Sequence, residues 1–234
     1  VGGGVTVAEL FAATRQRTDD SAASGSPATD DVYWTLPEQY CALNEAQNMF
    51  ALITLCLEST GTITLSAAKC FYGVRGYLPG FLLPLRISVG GAKLQPTRLV
   101  DLDARYFAWP DTPGTPAKYM QVGMNLLAIV PQPSALSSAS VIYAKEPSVL
   151  VSTGQVPEIP PEYHLALAKY ASYYLLQKRG GQYLQLAVAH WKEFLVDAAH
   201  CADYVRRRNR ARQYDNEPAE IRLPVKKEGS QIDA

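Results

Sequence analysis

Apolar residues recur along this chain at two different periods. Val7, Leu10, Phe11 and Thr14 follow helical spacing, and Thr6-x-x-Glu9 ahead of them fits a capping box. A second box, Thr35-x-x-Glu38, opens a second helix with Pro37 in its first turn, where a missing N–H costs little. Leu43, Ala46, Phe50, Ile53 and Leu57 then predict one buried face, with Asn44, Glu45, Gln47 and Asn48 beside it. After Ser59-Thr60-Gly61 the period changes. Residues 62–72 are rich in β-branched and aromatic types near their ends, and 86–89 read as a strand entering the Gly90-Gly91 turn. Shorter strands are predicted at 119–122, 126–130 and 140–143. Helical spacing returns after Ile159-Pro160-Pro161, with Tyr163, Leu167, Tyr170 and Tyr174 ahead of a Gly180-Gly181 stop. In the last helix Leu184, Val188, Trp191, Leu195, Ala198, Ala202 and Val205 alternate steps of four and three. Such a seam, about 30 Å long, needs a partner helix. The helix joined to it by the Gly-Gly turn is the obvious one, which places Leu184, Val188, Trp191 and Leu195 in the core.

Proline placement divides the chain. Twelve of its sixteen prolines lie between Pro79 and Pro161, a region that must be loops, turns and short strands. The fold class is therefore α+β: mainly a helical bundle, with an inserted small β-rich domain and an extended C-terminal tail. The expected boundaries are 1–60 for the N-terminal helices, 61–158 for the insertion, 159–212 for the C-terminal helices and 213–234 for the tail. Residues 19–31, rich in Ser, Ala, Gly and Asp, read as a flexible loop.

Composition narrows the chemistry. With 22 basic and 22 acidic residues among 234, the chain has no whole-molecule attraction for nucleic acid, although a local patch stays possible. The longest strongly apolar run, 49–57, is nine residues, far short of a membrane span, and no signal peptide is visible. A soluble protein made in the cytoplasm is expected. Cys41, Cys56, Cys70 and Cys201 form no C-x-x-C pair and are expected as buried free thiols. His164, His190 and His200 do not cluster with them, so no metal or other cofactor is inferred. Nucleophile-elbow, phosphate-loop, zinc-protease and dinucleotide signatures are all missing. The pair Asp101 and Asp103 is thin support for a hydrolase, because nothing nearby would tune either carboxyl. The tyrosine stripe could stack bases, but tyrosines at helical spacing are usually half-buried packing.

One charge feature exceeds what a helix end requires. Arg206, Arg207, Arg208, Arg210 and Arg212 put five guanidinium groups into seven residues. They are either a solvated helix C-terminus or an anion-binding edge for DNA phosphates or an acidic partner. Beyond them the tail carries mixed charge broken by Pro218 and Pro224. Ile221, Leu223 and Val225 alternate there with Arg222 and Pro224, the pattern of a short strand. A strand so small cannot offset its ordering entropy alone. The tail is thus expected to order only in an assembly, on a sheet edge or groove of another chain.

The order of features becomes specific when the segments are read together. Trp34-Thr35 opens a helix, Leu43-Asn44-Glu45-Ala46 follows, and then come Tyr77-Leu78-Pro79 and the 86–94 strand and turn. Leu99-x-x-Leu102, Trp109, Gly114-Thr115-Pro116-Ala117-Lys118-Tyr119 and Pro131-Gln132-Pro133 succeed them. Val141-x-Tyr143-x-Lys145-Glu146-Pro147, Ile159-Pro160-Pro161-Glu162-Tyr163 and the 168–176 helix complete the series. From about residue 33 to 205 this chain resembles phage head-to-tail adaptor proteins, the neck-ring subunits that attach below the portal. The resemblance implies a virion structural protein without catalytic residues, assembled in the host cytoplasm into a homododecameric ring. Its implied partners are the portal protein, other adaptor subunits, downstream tail or neck proteins, and genomic DNA in passage, with no membrane. Two alternatives stay open: another neck or tail-tube subunit, and a nucleic-acid-binding protein that uses the 206–212 run.

Overall fold

Two reciprocal caps open the first helices. Thr6 N–H donates to Glu9 Oε2 at 2.7 Å and Glu9 N–H returns to Thr6 Oγ1 at 3.4 Å, where α1 (Val7–Thr18) begins. Thr35 N–H donates to Glu38 Oε2 at 3.0 Å at the head of α2 (Leu36–Thr54). The computed structural model describes residues 4–19, 33–104 and 108–221, so the loop read at 19–31 lies outside them apart from Asp19. Helix α2 stops at Leu55, whose left-handed backbone (φ 51°) turns the chain away. Leu57 therefore lies past the helix rather than on its last turn, although it stays buried.

The turn at Leu55 leads into β1 (Glu58–Leu65), β2 (Phe71–Gly73), β3 (Phe81–Val89), β4 (Ala92–Lys93) and β5 (Gln95–Pro96). A short α3 (Leu99–Asp103) precedes β6 (Pro113–Gly114), β7 (Lys118–Val122), β8 (Leu126–Val130), β9 (Gln132–Pro133) and β10 (Ser137–Lys145). One sheet runs β1-β10-β3-β4, a second β2-β8-β7-β5, and β6 with β9 makes a minor third. The period of two is visible in β1, where Ile63 and Leu65 turn inward and Thr62 and Thr64 outward. Ile63, Ile87 and Val141 of the first sheet meet Tyr72, Tyr119 and Leu127 of the second in one core. The register of β10 on β3 slips on either side of the Tyr143–Pro84 pairing. Proline has no N–H for the ladder, and a bulge is where a sheet tolerates it.

Lys145 N–H donates to Leu57 O at 3.0 Å, so the strands leave and rejoin the helices at one point. The chain between Lys145 and Pro160 does not lie in the sheets. Leu150 and Ile159 belong to the helical core instead. Asn44 holds both backbone groups of Leu150, accepting from its N–H at 2.8 Å and donating to its carbonyl at 3.0 Å. Gln47 Nε2 donates to Ser148 O at 2.7 Å. These polar residues, read as flanking the buried face of α2, bind a returning segment rather than water. The same segment offers Gln155 O and Thr153 O to the N–H groups of Val7 and Ala8, both at 2.9 Å. First-turn amides have no partner inside their own helix, so this contact satisfies them.

Helices α4 (His164–Arg179) and α5 (Leu184–Ala211) pack with α1 and α2 around a common core. Its centre is aromatic: Phe194 lies 6.0 Å from Phe50, 5.0 Å from Tyr170 and 5.4 Å from Trp191, ring centre to ring centre. Here the expected seam of α5 is corrected. Its first half faces inward through Ala187, His190 and Phe194, while Leu184 and Val188 stay 48% and 47% exposed. Trp191 and Leu195 are only partly buried at its edge. A straight helix drifts about 20° per heptad from a strict seven-residue repeat. The Gly180-Gly181 turn, with both glycines at positive φ, allows a roll that sequence spacing alone does not reveal. From Ala198 to Val205 the expected face and the observed one coincide.

Candidate assembly interface

The arginine run occupies the last two turns of α5, where the helix reaches the root of the β-structure. Arg206 donates from Nη1 to Asp203 Oδ1 at 3.0 Å and from Nη2 to Ala219 O at 2.9 Å. Arg207 reaches the other oxygen of Asp203 at 2.7 Å, yet its side chain is 81% exposed. Arg208 pairs with Glu58 Oε1 at the start of β1. Arg212 meets Oε2 of the same carboxylate at 3.1 Å. Arg210 grips Glu217 with two parallel bonds of 2.8 and 2.9 Å. That fork holds the Glu217 carboxyl below its ordinary range and the Arg210 guanidinium above its own. Five guanidinium groups thus share three carboxylates, Asp203, Glu58 and Glu217, and the cluster keeps a positive excess.

The tail begins as a lock on this cluster. Asn209 is buried in α5; its carbonyl accepts from Tyr214 N–H at 2.9 Å, and its Nδ2 donates to Asn216 O at 3.2 Å. Asp215 N–H donates to Leu85 O at 2.8 Å, and Asn216 Nδ2 donates to Pro84 O at 2.6 Å. The Asp215 carboxylate takes the Tyr119 hydroxyl at 2.9 Å and the Lys93 ammonium at 2.8 Å. Burial, and then the neighbouring Asp215 charge, push the Tyr119 hydroxyl well above its usual pKa. The chain next doubles back along α5, and Ile221 packs against the helical core. The expectation that the tail orders only in an assembly is therefore overturned for residues 213–221. Buried polar contacts within the same chain offset their ordering entropy. Leu223 and Val225, the other two docking candidates, lie outside the described residues.

Between α5 and the returning tail lies a cavity of about 600 Å³, bordered by Arg206, Arg207, Arg210, Glu217 and Glu220. Its mixed charge and openness suit a protein surface better than a small ligand. Sequence reasoning found the arginines but missed Glu58, Asp215 and Asn216, which no spacing links to them. Asp203 was missed too, although its place three and four residues before Arg206 and Arg207 on one helix is a signal that could have found it. The Asp101 and Asp103 pair is not a shared site: Asp103 Oδ1 accepts the Trp109 indole N–H at 2.8 Å and anchors that ring. Cys56, Cys70 and Cys201 are buried, whereas Cys41 is exposed. Among the described residues no His, Cys, Asp and Glu side chains gather as a metal site, and no helix is long and apolar enough to cross a membrane.

Residues 5–221 match the family described as SU10 adaptor protein. No curated protein matches the chain.

Proposed function

Because the chain belongs to the SU10 adaptor family, a family of phage head-to-tail adaptors, we propose that it forms a ring beneath the portal through which the genome passes. An adaptor of this family is a virion structural protein that associates with other head and tail proteins. In the finer reading, the portal occupies one face of a homododecameric ring and the next neck or tail component the other. The observation that carries this reading is the family match over nearly the whole chain. The locked joint supports it: helices, sheets and tail are tied at Glu58, Asn209 and Asp215, so load applied to one part reaches the others.

The arginine run enters this reading in two parts. Arg206, Arg208, Arg210 and Arg212 serve the subunit's own joint through Asp203, Glu58 and Glu217. Arg207, the most exposed of them, is the contact offered to a neighbour or to DNA phosphate. Leu223 and Val225 would dock on the portal or an adjacent subunit. Mixing the purified chain with purified portal and imaging the product tests the reading. Closed rings seated on the portal are expected; a chain that stays monomeric beside intact portal would overturn it. Steeply salt-dependent affinity of the lone subunit for DNA would favour the nucleic-acid-binding alternative.

A further inference from the structure

Where α2 gives way to β1, two thiols from distant parts of the chain come together. Cys56 follows the left-handed Leu55, and Cys201 lies in the middle of α5. Both are free, both belong to the helical core, and both line one cavity of about 380 Å³. Tyr163, Tyr204 and Arg208 border the same cavity. The other two cysteines are elsewhere: Cys41 is on the surface, and Cys70 sits in a separate core with its thiol on Ile129 O at 3.2 Å.

We propose that Cys56 and Cys201 are a cross-link site that closes into a disulfide when the subunit leaves a reducing compartment, tying the exit of α2 to α5. Interaction between the two thiols lowers that of Cys56 and raises that of Cys201, and the Arg208 charge favours the Cys56 thiolate further. Cys56 thiolate attacks one sulfur of a small disulfide such as oxidised glutathione, forming a mixed disulfide and expelling one glutathione thiolate. Cys201 loses its proton to solvent in the cavity and attacks the Cys56 sulfur, expelling the second. Two protein thiols and one oxidised glutathione become one protein disulfide and two reduced glutathiones. Cys56 lies in the irregular link between α2 and β1, where the backbone can adjust, while Cys201 is fixed in a helix.

The chemistry rests on the cavity; only its timing rests on the adaptor reading. An adaptor would be assembled in a reducing cytoplasm and then released into an oxidising medium, where disulfides persist. The bridge would then set after the neck is built.

The test uses the full chain, folded, in oxidised glutathione. Unreduced digests are read by mass spectrometry for a peptide joining Cys56 to Cys201, and thermal unfolding is followed in parallel. The bridge is expected to remove two of the four titratable thiols and raise the Tm by roughly 5–10 °C. That rise should vanish in both Cys56→Ser and Cys201→Ser. Cys56 and Cys201 left alkylatable after oxidation, or joined to different partners, would overturn the proposal, and that readout needs no variant. Alkylation-trapped thiols in infected cells and in released virions are compared separately. A bridge that forms in the isolated chain but is absent from virions would sink the timing and leave the site.

Discussion

Tyr119 and Asp215, 96 residues apart in the chain, meet hydroxyl to carboxylate at 2.9 Å, and this bond fastens the end of α5 to the second sheet. The Asp215 side chain is only 6% exposed and also carries the Lys93 ion pair. Asp215→Ala is expected to destabilise the folded chain by about 2–4 kcal/mol, because it strands a buried hydroxyl and a cation together. Urea unfolding measures this, and a loss below about 0.5 kcal/mol would show that the joint bears no load.

The same pair predicts a response to alkali. The folded-state pKa of Tyr119 is raised, so above the ordinary tyrosine pKa of about 10 the unfolded chain releases that proton while the folded chain retains it. Stability linked to Tyr119 is full below pH 10 or so and is lost as pH rises further. Unfolding free energy measured from pH 8 to 11 should therefore fall more steeply in the natural chain than in Tyr119→Phe. Equal slopes would remove the assignment.

The roll of α5 can be checked by two substitutions. Phe194→Ala, at the aromatic centre, should cost about 3–5 kcal/mol, whereas Leu184→Ala should cost under about 1 kcal/mol. Comparable losses at the two positions would restore the seam read from spacing alone.

The arginines are expected to separate into two groups. Arg207→Gln should leave the melting temperature within about 1 °C and reduce neck assembly, as befits an outward contact. Arg208→Gln should destabilise the subunit itself, because Glu58 loses the pairing that is least exposed to solvent. Thermal melts alongside an assembly assay distinguish them; matching behaviour in both assays would refute the division.

Two truncations divide the tail. Ending the chain after Tyr214 removes Asp215 and Asn216 and should lower the melting temperature by several degrees. Ending it after Ile221 keeps the joint and should weaken attachment to the neck instead, through loss of Leu223 and Val225. Equal attachment by the second truncation and the full chain would discard the docking role.

Local chemistry carried much of this architecture into the sequence. Capping boxes at Thr6 and Thr35 are complete within four residues, so they start α1 and α2 wherever those helices end up. The concentration of proline likewise excludes long helices from the middle of the chain, and the strands at 118–122 and 126–130 follow from their β-branched and aromatic residues. Apolar periodicity marked α5 as a helix with one buried stripe, and the 198–205 half of that stripe was read correctly.

What periodicity could not give is roll and partnership. Leu184 and Val188 are as apolar as any core residue, and only the Gly180-Gly181 turn and the aromatic centre at Phe194 decide that Ala187 and His190 point inward. Asn44 looked like a solvated flank until a segment more than a hundred residues later returned to hydrogen-bond with it. The arginine run was plain from composition, but its meaning depended on Glu58, 150 residues before Arg208 in the chain. Hydrophobic spacing and capping act within a few residues, where sequence order is spatial order. Ion pairs, buried amides and adjacent thiols act across space, and only the folded chain sets which distant residues become neighbours.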